Sequence, residues 1–88
     1  MQADRTNDPE ILALQALAAA LEDQRLADRF ISISGITTPE LRQRAAEPAL
    51  LRAFLEFLEA HEPDLIAIAD AIGRTPAELV DARRLLRR

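Results

Sequence analysis

The chain has 88 residues and a net charge of −4, with 15 acids against 11 bases, all of them arginine, and no cysteine. This length holds one small core and excludes a second, while the absence of thiols excludes disulfides and thiolate metal sites, so that packing alone must hold the fold. The acidic balance disfavours nonspecific attraction to phosphate and leaves only a local basic face as a route to nucleic acid.

Residues 1–7 read as a flexible tail and residues 8–88 as a single helical domain. The opening "MQADRTNDPE" carries acids where a secretory signal would carry a basic region. The apolar stretch "ILALQALAAAL" falls short of the ~20 residues needed to cross a bilayer. The expectation is a soluble, cytoplasmic protein with no membrane association.

Each of the five prolines follows a residue suited to a helix N-terminus: Asp8, Thr38, Glu47, Glu62 and Thr75. Proline fits the first helical position because its φ is already helical and its missing N–H would have had no partner there. The first predicted helix, 9–22, presents Ala16, Ala18, Ala19 and Ala20 beside Leu12, Leu14, Leu17 and Leu21. These small residues would let another helix approach closely, or would be consumed in an intramolecular core.

Asp23 is placed to cap a second helix, 24–34, which Gly35 ends by accepting positive φ. Within it "FISISGI" also alternates with a strand-like period of two, but a lone strand has no partner here. A third helix, 39–46, has a capping-box spacing from Thr37 to Glu40. The fourth, 48–61, is the most apolar: Leu50, Leu51, Phe54, Leu55, Phe57 and Leu58 cover over half its circumference, leaving a wet stripe of Arg52, Glu56 and Glu59. A fifth helix spans 63–72 and ends at Gly73. The sixth, 76–87, opens with the clearest capping box, Thr75 to Glu78. The predicted fold is all-α, a compact bundle of five to six short helices around the central apolar helix at 48–61.

The ordered segments "ALQALA", "DRFISISGI", "LRQRAAEPALLRAFLEFL" and "IGRTPAELVDARR", covering about residues 13–84, resemble a bacterial family of short all-helical proteins known only as a domain of unknown function. The resemblance implies an all-α fold in a bacterial cytoplasm. It supplies no activity, ligand or catalytic residue.

Two segments have the form helix, glycine turn, capped helix: "SGITTPELRQRA" and "IGRTPAELVDAR". A DNA-reading helix-turn-helix has this form and contacts bases from the start of its second helix. The second segment has the better spacing, but Thr75, Ala77, Val80 and Asp81 occupy its reading positions. In the first, Arg42, Gln43 and Arg44 are suitable readers, yet Ile31 fills the small-residue position and Glu47-Pro48 cuts the helix short. Tight corners between packed helices account for both.

His61 stands near Glu59, Glu62 and Asp64, a set able to ligate a metal or share acid–base work, but zinc hydrolases place two histidines on one helical face. A polar corner between two helices accounts for it. Ser32 and Ser34 lack the surroundings of a nucleophile, and their hydroxyls are expected to bond to preceding carbonyls. No cofactor signature is present, and no catalytic function is expected.

The acidic run from Glu56 to Asp70 and the arginine-rich tail (Arg74, Arg83, Arg84, Arg87 and Arg88) are expected to form opposite charged faces able to steer a partner. The expected function is a noncatalytic helical module that binds an unidentified protein or itself. The alternative is a helix-turn-helix-like DNA-binding protein. Candidate contacts for either are Arg42, Gln43, Arg44, Arg83, Arg84 and Arg87.

Overall fold

The structure is a computed structural model that describes residues 8–86. The expected tail at residues 1–7, and Arg87 and Arg88, lie outside the described residues. Six helices are present among them: α1 Pro9–Leu21, α2 Gln24–Ser34, α3 Thr38–Arg44, α4 Pro48–Glu59, α5 Glu62–Ala71 and α6 Pro76–Leu85. The fold is an all-α bundle, and the described residues contain no strand. The "FISISGI" stretch is helical through Ser34, as its flanking caps require.

Local chemistry sets the boundaries. Asp8 accepts from the backbone N–H of Glu10 at 2.9 Å and of Ile11 at 3.4 Å. Asp23 does the same for Arg25 and Leu26. Gly35, at φ 77°, closes α2 through a single bond from its N–H to the Ile31 carbonyl. Gly73, at φ 74°, closes α5 with two bonds, from its own N–H to the Asp70 carbonyl and from the Arg74 N–H to that of Ala69. Both ends use the left-handed conformation that glycine tolerates without a Cβ clash.

Both capping boxes form, Thr37 with Glu40 and Thr75 with Glu78. Helix α3 ends at Arg44, two residues before the expected end, and Glu47, the residue before Pro48, is extended. Helix α4 ends at Glu59, since His61 is already extended (φ −139°) as the residue before α5.

The core is formed by α1 and α4 with α6 and α5 packed on them, and α2 on α1. Helix α4 buries Leu50, Leu51, Phe54, Leu55 and Leu58. Helix α1 shares the centre, because Ala13, Ala16 and Ala20 let it approach closely while Leu12 and Leu17 fill the remaining gaps. The alanines on that side are therefore consumed inside the molecule. Phe30 packs edge-on against Phe54 at 5.3 Å between centroids and against Phe57 at 5.1 Å. Helix α3 is held differently: Leu41 is its only buried residue.

The expected acidic and basic faces are not fully separated: helices α4 and α6 lie side by side, and one arginine of the basic segment, Arg83, meets one acid of the acidic run, Glu59. Arg83 donates to Glu59 from Nε at 2.8 Å and from Nη2 at 3.0 Å. Arg52, read as part of a wet stripe, pairs with Glu56 at 3.2 Å and also donates to the Arg83 and Leu86 carbonyls at 3.3 and 2.8 Å. A cation from α4 thus sits on the negative end of α6.

Candidate functional site

Helix α1 is apolar almost all round, yet the bundle covers only one side of it. At 3.6 residues per turn the buried positions lie on one half of the helix, while Ile11, Leu14, Ala18 and Leu21 fall within about 80° of each other on the opposite side. Ile11, Leu14 and Leu21 remain 43%, 40% and 43% exposed, and Ala18 is exposed between them. Their three- and four-residue spacing is that of a coiled-coil seam. A bundle helix with apolar residues on its outer face departs from the usual amphipathic pattern.

The seam is bordered by acids. Glu10 and Glu22 lie on its two sides, and the caps Asp8 and Asp23 stand at the helix ends; every charged residue from 8 to 24 is acidic. Arg25 follows in the first turn of α2, 3.9 Å from Asp23. At its C-terminal end the seam reaches a cavity of about 250 Å³ between α1, α2 and α3, lined in part by Leu21, Ala27, Ile31, Leu41, Asp28 and Arg42. A second cavity, about 320 Å³, lies between α1 and α6 and is lined by Leu12, Glu78, Asp81, Ala82 and Leu85. Neither lining contains a histidine or a serine.

The residues singled out from sequence are scattered. Arg42 and Gln43 are exposed on α3, and Arg44 bonds to Glu47 at 2.9 Å. Consecutive residues on a helix point about 100° apart, so these three do not share one ridge. Arg83 is held by Glu59, Arg84 is exposed 3.9 Å from Asp81, and Arg87 lies outside the described residues.

In the α5–α6 corner, Glu78 accepts from Arg74 at 3.3 Å and from the Thr75 backbone at 2.8 Å. The Thr75 N–H, with Arg74 assisting, holds the Glu78 carboxyl below the ordinary glutamate range. Glu40 is lowered in the same way by the Thr37 backbone and hydroxyl. Helix α6 buries Leu79 and Ala82, leaving Ala77 and Asp81 exposed.

His61 forms the polar corner its sequence position implies. Its Nδ1 lies 2.8 Å from the buried Asp64 carboxylate. Sequence reasoning missed the partner that compensates Asp64. Arg29 of α2 pairs with Asp64 and lies over the Phe57 ring at 5.5 Å. Among the described residues no group of three or more His, Cys, Asp or Glu side chains is placed to hold a metal ion. No described helix is long and apolar enough to cross a membrane.

Ser34 Oγ reaches the Ile31 carbonyl at 3.5 Å and accepts from the Ile36 N–H. It acts there as part of the corner after α2.

No curated protein and no solved structure matches the chain. A family model described as "Protein of unknown function (DUF3572)" matches residues 6–88. That span takes in all six helices and the segments whose resemblance to an uncharacterised helical family was read from the sequence, and the chain belongs to this family.

Proposed function

We propose that the chain is a noncatalytic helical module that docks a protein helix on the outer face of α1 and works in the bacterial cytoplasm that the resemblance implies. The observation that carries this reading is the exposed seam of Ile11, Leu14, Ala18 and Leu21. Ile11, Leu14 and Leu21 each keep about two-fifths of their surface in water, and burying that remainder against a partner removes further apolar surface from water. Helix-in-groove and seam recognition use this i, i+3, i+7 arrangement of anchors.

Two of the arginines that would serve a nucleic-acid reading are paired within the molecule, Arg83 to Glu59 and Arg44 to Glu47, and Arg42, Gln43 and Arg44 do not share one ridge. This favours a protein partner over DNA.

The test is affinity capture from the cells that make the protein, comparing the tagged chain with its Leu14→Glu variant. A discrete protein retained by the former and lost by the latter supports the proposal. Identical captures from both, or copurification of nucleic acid in place of protein, would overturn it.

A further inference from the structure

We infer that the occupant of the α1 seam is a basic amphipathic helix of another protein, with apolar residues at heptad spacing flanked by Lys or Arg. This inference rests on the docking role proposed above and adds the chemistry of the partner. Its first support is charge. Glu10 and Glu22 border the seam on opposite sides, Asp8 and Asp23 mark its ends, and Arg25 is the first base after them. In a seam pair the residues flanking the apolar stripe decide which partner is accepted, since opposite charges attract there and like charges repel.

The same acids disfavour a second copy of this chain. In an antiparallel pair Ile11 would lie over the partner's Leu21 and Leu14 over its Ala18, bringing Asp8 and Glu10 against the acids at 22 and 23. A parallel pair would set the two acidic N-terminal ends, each with Asp8 and Glu10, at one level and the two acidic C-terminal ends at the other. Either arrangement apposes like charges, which costs stability in proportion to how far water is excluded. A helix with basic flanks has the opposite sign in both orientations. The seam also accepts close approach at its middle, because Ala18 leaves room for a large partner side chain between Leu14 and Leu21.

The experiment uses the full chain, labelled for amide NMR, and two synthetic helical peptides of about three heptads with Leu at positions a and d. One peptide carries Lys at e and g, and the other carries Glu. The Lys peptide is expected to shift amides of residues 10–24, with affinity falling several-fold as salt rises. The Glu peptide should bind at least about tenfold more weakly.

Glu10→Lys combined with Glu22→Lys should reverse that preference, which general attraction to an acidic protein would not do. Leu14→Glu, and the milder Leu14→Ser, should abolish both responses while circular dichroism shows an intact fold. Equal binding of both peptides at the seam would overturn the basic-partner inference and leave the docking role standing. Shifts mapping away from α1, or insensitivity to both Leu14 variants, would overturn the two together. A dimer in sedimentation that Leu14→Glu dissociates would identify a second copy as the occupant and refute the inference.

Discussion

Arg83 grips Glu59 across 24 residues of chain with two hydrogen bonds, at 2.8 and 3.0 Å, and so ties α6 to α4. The pairing holds the Arg83 guanidinium in its charged form, raising an already high pKa chiefly through the hydrogen bonds it donates to Glu59. Arg52 completes the tie by donating to carbonyls at the end of α6. The two helices are joined by a fork-shaped pair whose geometry lysine cannot reproduce. Arg83→Lys is therefore expected to lower the denaturation midpoint nearly as much as Arg83→Ala. A double-mutant cycle with Glu59→Gln should show coupling between the sites, and additive effects would contradict the tie.

The capping boxes make stability depend on acid. Glu40 and Glu78 have lower pKa values folded than unfolded, because backbone N–H groups of Thr37 and Thr75 bond to their ionised forms. The unfolded chain therefore binds more protons in that window, and stability rises with pH through it. Their contribution is complete above the ordinary glutamate value of about 4.3 and is lost as pH falls through the depressed values. Stability measured from pH 6 downward should fall through that window, and Glu78→Gln should flatten part of the fall. An unchanged profile in Glu78→Gln would sink this explanation.

The two boxes should differ in reach. Thr75→Ala removes a cap from a helix whose Leu79 and Ala82 sit in the core, and should cost about 0.5–2 kcal/mol of global stability. Helix α3 has only Leu41 buried, so Thr37→Ala should chiefly open α3 by local unfolding. Hydrogen exchange resolves the two cases. Faster exchange confined to residues 38–44 is expected for Thr37→Ala, and faster exchange throughout the bundle for Thr75→Ala.

Asp64 is buried between Arg29 and His61. Removing Arg29 leaves a desolvated carboxylate whose remaining close partner is an exposed histidine, and that costs more than removing both charges. Arg29→Met is expected to destabilise more than Arg29→Met with Asp64→Asn. Chemical denaturation of both variants checks the order, and the reverse order would contradict a compensating role for Arg29.

Two of the aromatic rings, Phe54 and Phe57, should also separate. Phe54 is 1% exposed, and Phe54→Ala should cost about 3–5 kcal/mol, enough to unfold much of the population near room temperature. Phe57 is only partly buried, so Phe57→Ala should cost less. A melting curve unchanged in Phe54→Ala would refute the central position of α4.

Helix starts and stops were legible in the sequence because their determinants are local. Each of Pro9, Pro39, Pro48, Pro63 and Pro76 lies in the first two positions of a helix, and both glycines take the expected positive φ. The pairs Arg29 with Asp64 and Glu59 with Arg83 were not legible, because their partners lie 35 and 24 residues apart and meet only through packing. For the same reason the charged runs read as separate faces, although Arg83 and Glu59 meet.

The seam itself was hidden by the composition of α1. With apolar residues on every side, its periodicity does not say which half the bundle covers. Only the placement of α4, α5 and α6 against Ala13, Ala16 and Ala20 leaves Ile11, Leu14 and Leu21 outside.

Crosslinking in the cells that make the protein tests the role of that outer face most directly. A photoreactive phenylalanine analogue is placed at Leu14, and separately at Arg42 and at Ala77, both of which are also exposed. A discrete protein adduct from position 14, absent from the other two, is the expected result. Adducts formed equally from all three sites, or nucleic acid captured from position 42 or 77 and nothing from position 14, would contradict it.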